Sequence, residues 1–287
     1  MSFARRGSNG TMVTVLSDAG IRHDGLDSAL ARLQSVVVAF SGGADSAFLA
    51  AYATQRLGRG NVLCVTAVSA SLASSELIDC EALADEWDLD WSTVQTNETD
   101  RPDYVANAGD RCFHCKDELM DALAPIAAAR AATIVLGVNV DDLGDHRPGQ
   151  QAAAAKGAQF PMVDAGLTKS DVRALSKAMG LRTWDKPAAA CLSSRVPYGT
   201  PVTISLLGRI ERAEAEIRRI LAGAVANLRV RHEGDAARIE VDASTMPAVI
   251  ARHDEIVQAL EGIGYRYVTL DLAGFRSGNL NWALDNR

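Results

Sequence analysis

At 287 residues, 48% of them hydrophobic and 23% charged, the chain has the make-up of a soluble globular protein with room for one large domain, or for a large and a small one. No apolar stretch approaches the length of a membrane span. The start, Met1-Ser2-Phe3-Ala4-Arg5-Arg6, has no apolar segment behind its arginines, so a cytoplasmic protein without a secretion signal is expected. A net charge of −7 argues against a broad nucleic-acid footprint, and five cysteines, an odd number, argue for reduced thiols rather than a disulfide framework.

Residues 1–22 are weakly patterned and read as a loose arm; Asp24 is placed to cap a helix through about Leu33. Val36 to Phe40 is an apolar, β-branched run, the mark of a strand buried on both faces, and it leads into Ser41-Gly42-Gly43-Ala44-Asp45-Ser46 and a helix to about Leu57. The glycines allow a tight turn. The helix that follows offers unpaired N–H groups and the positive end of its dipole, and Ser41 and Ser46 add hydroxyls, which together suit a phosphate. Asn61–Val68 and Trp91–Gln95 read as further strands, and Ser75–Trp87 and Arg111–Arg130 as helices. Thr133–Val140 reads as a fourth strand that ends in Asp141-Asp142-Leu143-Gly144-Asp145. Thr168-Lys169-Ser170-Asp171 has the form of a capping box opening a helix to about Met179. Strands alternating with helices predict an α/β fold, a parallel sheet with helices on both faces and ligands at the carboxyl ends of its strands.

After Val196-Pro197-Tyr198-Gly199-Thr200-Pro201 the pattern changes. A charge-laced helix over Ile204–Leu221 is followed by paired strands Leu228–His232 and Ala237–Val241, a helix over Met246–Leu260 and a last strand over Tyr265–Leu272. A boundary near residue 200 is expected, with residues 1–200 as the nucleotide domain and 201–287 as a small α+β domain for substrate binding or oligomerisation.

Ser41 to Ser46 resembles the PP-loop of the ATP pyrophosphatases, which cut ATP between its α and β phosphates and adenylate a substrate; no Walker A or Rossmann fingerprint competes with it. The resemblance implies ATP and Mg²⁺, with Asp45 a Mg²⁺ contact or simply an acid favoured by the helix dipole. Asp141 and Asp142 are either turn residues or nucleotide contacts. Arg111-Cys112-Phe113-His114-Cys115-Lys116 holds a C-x-x-C that fits a zinc half-site, a redox pair or a helix-borne accident, and Cys191 lies far downstream. Three thiolates also suit a [4Fe-4S] cluster with one open iron. Cys64, within a strand, and Cys80, on a helix, read as buried small hydrophobes.

Four segments, Ser41–Ser46, Arg111–Lys116, Leu136–Gly149 and Trp184–Gly199, with Arg229-Val230-Arg231-His232 and Ala237-Arg238-Ile239-Glu240 behind them, resemble the LarE family of sulfur transferases. The resemblance implies adenylation of the carboxylates of pyridinium-3,5-biscarboxylic acid mononucleotide and their conversion to thiocarboxylates for the nickel-pincer nucleotide, the cofactor of lactate racemase. It implies ATP contacts at Ser41, Gly42, Gly43, Asp45, Ser46, Asp141, Asp142 and Arg147. It further implies a reactive loop of Cys191, Ser193, Ser194 and Arg195, substrate-phosphate contacts at Arg229 and Arg231, and active-site acids at Glu214 and Glu240. Sulfur comes either from a cluster on Cys112, Cys115 and Cys191 or from Cys191 itself, which is left as dehydroalanine; the complete C-x-x-C favours the cluster. A homo-hexamer is the implied assembly. A tRNA thiolase, an amide-forming PP-loop ligase and a catalytically silent nucleotide-binding regulator are the competing readings. The acidic balance counts against the first and idle cysteines against the second.

Overall fold

The computed structural model describes residues 24–144, 148–187, 190–223 and 225–276. The expected N-terminal arm, and Arg147 among the expected nucleotide contacts, lie outside the described residues. Two compact units are formed: one from Met1–Ala67, Glu76–Gln95 and Leu119–Ala189, the other from Val68–Ser75, Thr96–Glu118 and Ala190–Arg287. The boundary expected near residue 200 falls within the last segment of the second unit.

The first unit carries α1 (Asp24–Leu33), β1 (Val36–Ala39) and α2 (Ala44–Leu57), followed by β2 (Val62–Val68), α3 (Ser74–Glu86), β3 (Trp91–Gln95), most of α4 (Arg111–Ala129), β4 (Thr133–Leu136) and α5 (Lys169–Ala178). The four strands form one sheet in the order β3-β2-β1-β4, with β1 parallel to both β2 and β4. The valine run explains the central place of β1, because successive side chains leave on opposite faces. Val36 and Val38 enter a core with Leu26, Leu30, Phe48 and Val172, while Val37 enters a second core with Leu123 and Leu136. Cys64 and Cys80 are fully buried among these apolar side chains, as expected.

Two local expectations are corrected and a third is borne out. Asp24 is not a cap but the first residue of α1, where its charge still favours the N-terminal dipole. The strand expected to run to Val140 stops at Leu136, and a 3₁₀ turn over Val140–Gly144 follows. Thr168 caps α5 through the expected capping box, its hydroxyl accepting from the Asp171 N–H and the Asp171 carboxylate accepting from the Thr168 N–H.

In the second unit, α6 (Ile204–Ile220) and α7 (His253–Ile263) pack on each other. A sheet of β5 (Leu228–Glu233), β6 (Ala236–Val241) and β7 (Tyr267–Leu270) completes the fold. β5 and β6 form an antiparallel hairpin turning at Gly234, whose φ of 64° suits glycine, and β7 joins β6 in parallel. Ala213, Ile217 and Ile220 of α6 meet Leu228, Val230, Ile239 and Val241 in one core. The single helix expected over Met246–Leu260 is broken at Arg252, which leaves the helical region (φ −113°, ψ 21°) and shares its N–H between two carbonyls.

Candidate active site

The phosphate loop of the first unit is held open by its own contacts. Gly43 is the N-cap of α2 with extended backbone, and no side chain caps the helix, so the first N–H groups remain for an incoming anion. Gly42 adopts φ 66°, and a Cβ there would lie 2.8 Å from the Cys80 sulfur beneath it. The two serine hydroxyls meet each other at 3.0 Å, and Ser46 Oγ also donates to the Gly43 carbonyl while accepting from the Ser41 N–H. They brace the loop that they were expected to line.

Behind the loop, Asp45 Oδ1 accepts from Asn139 Nδ2 at 3.1 Å. Burial raises the Asp45 carboxyl above its usual range; the Asn139 bond offsets this in part, and the nearby charge of Asp142 adds to it. Asn139 links the acidic segment to the loop. Its N–H donates to Asp142 Oδ2, its Oδ1 accepts from the Asp141 N–H, and Asp141 Oδ2 in turn accepts from the Lys169 N–H at 2.7 Å. Lys186, in the Trp184–Gly199 segment but not singled out from sequence, donates to the Gly42 carbonyl at 3.1 Å and pairs with Glu76 and Asp79.

Cys112, Cys115, Cys191, Arg195, Arg229 and Arg231 all fall in the second unit. Cys112 and Cys115 stand six and three residues before Glu118, after which α4 passes out of this unit, so the thiols belong to the first turns of α4. Burial pushes the Cys115 thiol up to about 12, with the neighbouring Cys191 and Cys112 adding to the rise. Burial also raises Cys112, again with a contribution from Cys191, while Arg111 and Lys116 oppose it. Among the described residues, no three His, Cys, Asp or Glu side chains converge on a point that could hold one metal ion.

The Cys191 loop is braced from several elements. Arg195 Nη1 donates to the carbonyls of Ala190 and Cys191 and to Ser194 Oγ, while its Nε and Nη2 bind Glu214 at 2.8 and 3.2 Å. Arg231 Nη1 donates to the Ser194 carbonyl at 2.6 Å, and its Nε and Nη2 bind Glu240. Arg111, unassigned from sequence, is 3% exposed and donates to the Ser193 carbonyl and to Asn107 Oδ1. The Ser193 hydroxyl, fully buried, meets Tyr104 OH at 2.5 Å, and the Leu192 N–H donates to the Ser71 carbonyl. Ser71 and Ser69 both donate to the buried Glu98. Tyr104, Glu98 and Arg111 escaped the sequence reasoning because only tertiary packing brings them to this loop.

Burial opposes ionisation of Glu214, yet Arg195 and the Val230 N–H hold its carboxyl below the usual glutamate range. Arg229 lies over the Phe275 ring and donates to the Leu228 carbonyl. Burial, joined by the charges of Arg195 and Arg231, brings its guanidinium down to about 10. A surface strand carrying arginines for solubility is excluded, since Arg229 and Arg231 are 8% and 7% exposed. Buried guanidinium groups gathered in this way suit an anion.

Comparison with known proteins accords with this geometry. Residues 23–120 match the NAD synthase family. Over 255 residues, 88% of this chain and 94% of the relative, the sequence is 44% identical to an uncharacterized protein of Synechocystis sp.. It is 24% identical over 245 residues to an uncharacterized protein of Methanocaldococcus jannaschii, covering 85% of this chain and 92% of that one. Over 257 residues, 89% of this chain and 92% of the relative, it is 36% identical to the pyridinium-3,5-bisthiocarboxylic acid mononucleotide synthase of Lactiplantibacillus plantarum. With a parallel sheet that presents an uncapped Ser-Gly-Gly-x-Asp-Ser loop, and that identity sustained over nearly the whole of both chains, this protein is an ATP-using PP-loop enzyme and belongs to the LarE family.

Proposed function

We propose that the protein is an ATP-dependent sulfur transferase. It adenylates the carboxylates of pyridinium-3,5-biscarboxylic acid mononucleotide and converts them to thiocarboxylates for the nickel-pincer cofactor of lactate racemase. The relative named as the synthase of the bisthiocarboxylic acid mononucleotide supplies the substrate class. The observation that carries the reading is a Cys191 loop whose carbonyls are tied down by Arg111, Arg195 and Arg231 while the Cys191 side chain is exposed.

A free carboxylate is a poor acyl donor because oxide would have to leave. Attack of its oxygen on the α-phosphorus of ATP expels pyrophosphate and forms an acyl adenylate, from which AMP can leave. The uncapped N–H groups of α2 suit the pyrophosphate charge. Asp45, a half-buried carboxylate close to Asp142, would hold a Mg²⁺ ion, whose charge would offset that of the two acids and of the phosphates. Arg229, buried beside the charges of Arg195 and Arg231, suits the phosphate of the substrate.

For the sulfur source, the donor set fits a three-cysteine [4Fe-4S] cluster. Cys112 and Cys115 feel the charge of Cys191, and alone they stay protonated, a preference that cationic iron inverts. Cluster ligands bind separate irons, so the thiols need not converge on one point. Such a cluster, when bound, supplies an open iron that can carry a sulfide. Arg111 holds the first turn of α4 to the Ser193 carbonyl and so fixes Cys112 relative to the Cys191 loop. A second reading is favoured by the exposure of the Cys191 side chain. In it Cys191 Sγ attacks the acyl adenylate, AMP leaves, and loss of the Cα proton with Cβ–S cleavage yields thiocarboxylate and dehydroalanine. The segment 201–287 is proposed as the substrate-binding and oligomerisation part of a cytoplasmic hexamer.

Mass spectrometry after anaerobic incubation with ATP, Mg²⁺ and the biscarboxylate nucleotide tests the proposal. AMP, pyrophosphate and a sulfur-for-oxygen product are expected, with an intact chain on the cluster route and loss of H₂S from Cys191 on the sacrificial route. Absence of AMP overturns the reading.

A further inference from the structure

The turn that follows β7 has no role in the account above, although it touches the residues proposed to hold the substrate phosphate. In the β5–β6 hairpin Arg229 stands opposite Glu240 and Arg231 opposite Arg238, so these four side chains share one face of the sheet. After β7 the chain turns at Asp271, whose N–H donates to the Ile239 carbonyl and whose own carbonyl accepts from the Gly274 N–H. Gly274 takes φ 74°, and a Cβ there would lie 3.1 Å from the Val241 carbonyl oxygen. The turn is thus pressed onto the end of β6, and the Phe275 N–H closes it with a 2.9 Å bond to the same Val241 carbonyl.

Two side chains of this turn reach the arginines. The Arg229 guanidinium carbon lies 5.2 Å from the centroid of the Phe275 ring. Phe275 is half-buried and is not among the described side chains that build the hydrophobic core of this unit, so core packing does not account for its place. Burial and the charges of Arg195 and Arg231 disfavour the charged form of Arg229. An aromatic face attracts a guanidinium yet carries no net charge, so it holds the group without cancelling its pull on an anion. A carboxylate in that place would hold Arg229 too, but would repel a phosphate. Asp271 reaches the second arginine through a relay. Its carboxylate accepts from Arg238 Nη1 and from the Ala273 N–H; Arg238 Nη1 also donates to Glu240 Oε1, and Glu240 Oε2 accepts from Nε and Nη2 of Arg231.

We propose that Phe275 and Asp271 are positioning residues for the two arginines. Phe275 fixes Arg229 by direct contact, Asp271 fixes Arg231 through Arg238 and Glu240, and together they set the spacing of the two guanidinium groups. The assignment rests on the reading of Arg229 and Arg231 as contacts of the substrate phosphate. It makes the turn after β7 part of how the protein tells a mononucleotide from the nucleoside that lacks the phosphate.

The test is equilibrium binding to the full-length protein of three separate ligands: the biscarboxylate mononucleotide, the same nucleoside without its phosphate, and Mg-ATP. Wild type is compared with Phe275→Leu, Phe275→Tyr and Asp271→Asn. Loss of a cation–π contact to a desolvated guanidinium predicts about three- to ten-fold weaker binding of the mononucleotide in Phe275→Leu, with Phe275→Tyr close to wild type. Asp271→Asn, which keeps the shape of the side chain but weakens its hold on Arg238, shows a loss of similar size. Affinity for the nucleoside and for Mg-ATP stays unchanged in all three variants, a pattern that a merely structural role would not give. Asp271 is only half-buried, so its variant reports even if Phe275→Leu does not fold. Unchanged mononucleotide affinity in both Phe275→Leu and Asp271→Asn, where wild type prefers the mononucleotide to the nucleoside, overturns the assignment alone. A loss confined to one variant overturns it for the other residue. Equal losses for the nucleoside or Mg-ATP mark a general structural role and overturn it as well. Wild type that binds the nucleoside as tightly as the mononucleotide, or binds neither, overturns the reading of Arg229 and Arg231 and this assignment with it.

Discussion

Gly137 lies against the backbone of Ser46 so closely that a Cβ there would stand 2.7 Å from both the nitrogen and the Cα of Ser46. The end of β4 and the first turn of α2 are therefore in backbone contact, and the main chain is what clashes. No side-chain rotation relieves it. We predict that Gly137→Ala shifts the loop, lowers stability by roughly 1–3 kcal/mol as over-packing does, and weakens ATP binding more than its stability loss explains. Denaturant melts beside nucleotide titrations check this; a variant binding ATP as wild type does removes the close approach from the function.

Glu214 holds both Arg195 and the Val230 N–H, and its depressed ionisation couples the Cys191 loop to acid stability. A carboxyl lowered in the folded state contributes stability that is present above its unfolded pKa and lost as pH falls through the folded one. Glu214→Gln should therefore destabilise the protein near neutral pH, with a deficit of about 3–5 kcal/mol because Arg195 is left buried and unpaired, and the deficit should shrink on acidification. Melting curves from neutral pH into the acid range measure it. A deficit independent of pH means that the pair does not titrate as described.

Tyr104 and Ser193 meet at 2.5 Å with both hydroxyls buried. Tyr104→Phe leaves the Ser193 hydroxyl without that partner at a cost of about 1–3 kcal/mol. Because Ser193 sits between Cys191 and Arg195, sulfur transfer should fall while pyrophosphate release on adenylation stays. Product analysis separates the two, and an equal fall in both argues for a general structural role.

Much of the first unit is legible in the sequence because its signals are local. The valine run, the glycine pair and the Thr168 capping box each specify their own geometry. The apolar pattern of Val138 and Val140 predicts a strand four residues longer than β4, which ends at Leu136, just before the close approach at Gly137. Arg229 and Arg231 were legible as neighbours on one strand face, but not as buried groups, since Glu240 faces Arg229 only across the β5–β6 pairing. Tyr104 and Arg111 reach the Cys191 loop from far along the chain, a relation that no local pattern carries.

The thiols of Cys112 and Cys115 carry the choice between sulfur sources. Replacing both by Ala should remove iron and sulfide from anaerobically purified protein and abolish repeated sulfur transfer, while pyrophosphate is still released on adenylation. Iron and acid-labile sulfide analysis with product counting checks this. Full transfer by the double variant eliminates the cluster and leaves Cys191 as the donor.

Asp45 should show a conflict between stability and function. Its carboxyl is raised by burial and by Asp142, with Asn139 opposing. For such a group the penalty of ionisation is absent below the unfolded pKa and is felt in full once the pH has risen through the folded one. Asp45→Asn therefore relieves a strain that exists at neutral pH, and the ligand-free variant should melt higher than wild type there, with the gain vanishing in acid. The same change removes the carboxylate proposed to hold Mg²⁺, so AMP formation should be lost even at saturating magnesium. A variant that is neither more stable nor impaired in AMP formation shows that Asp45 is only a favourable acid at the start of α2.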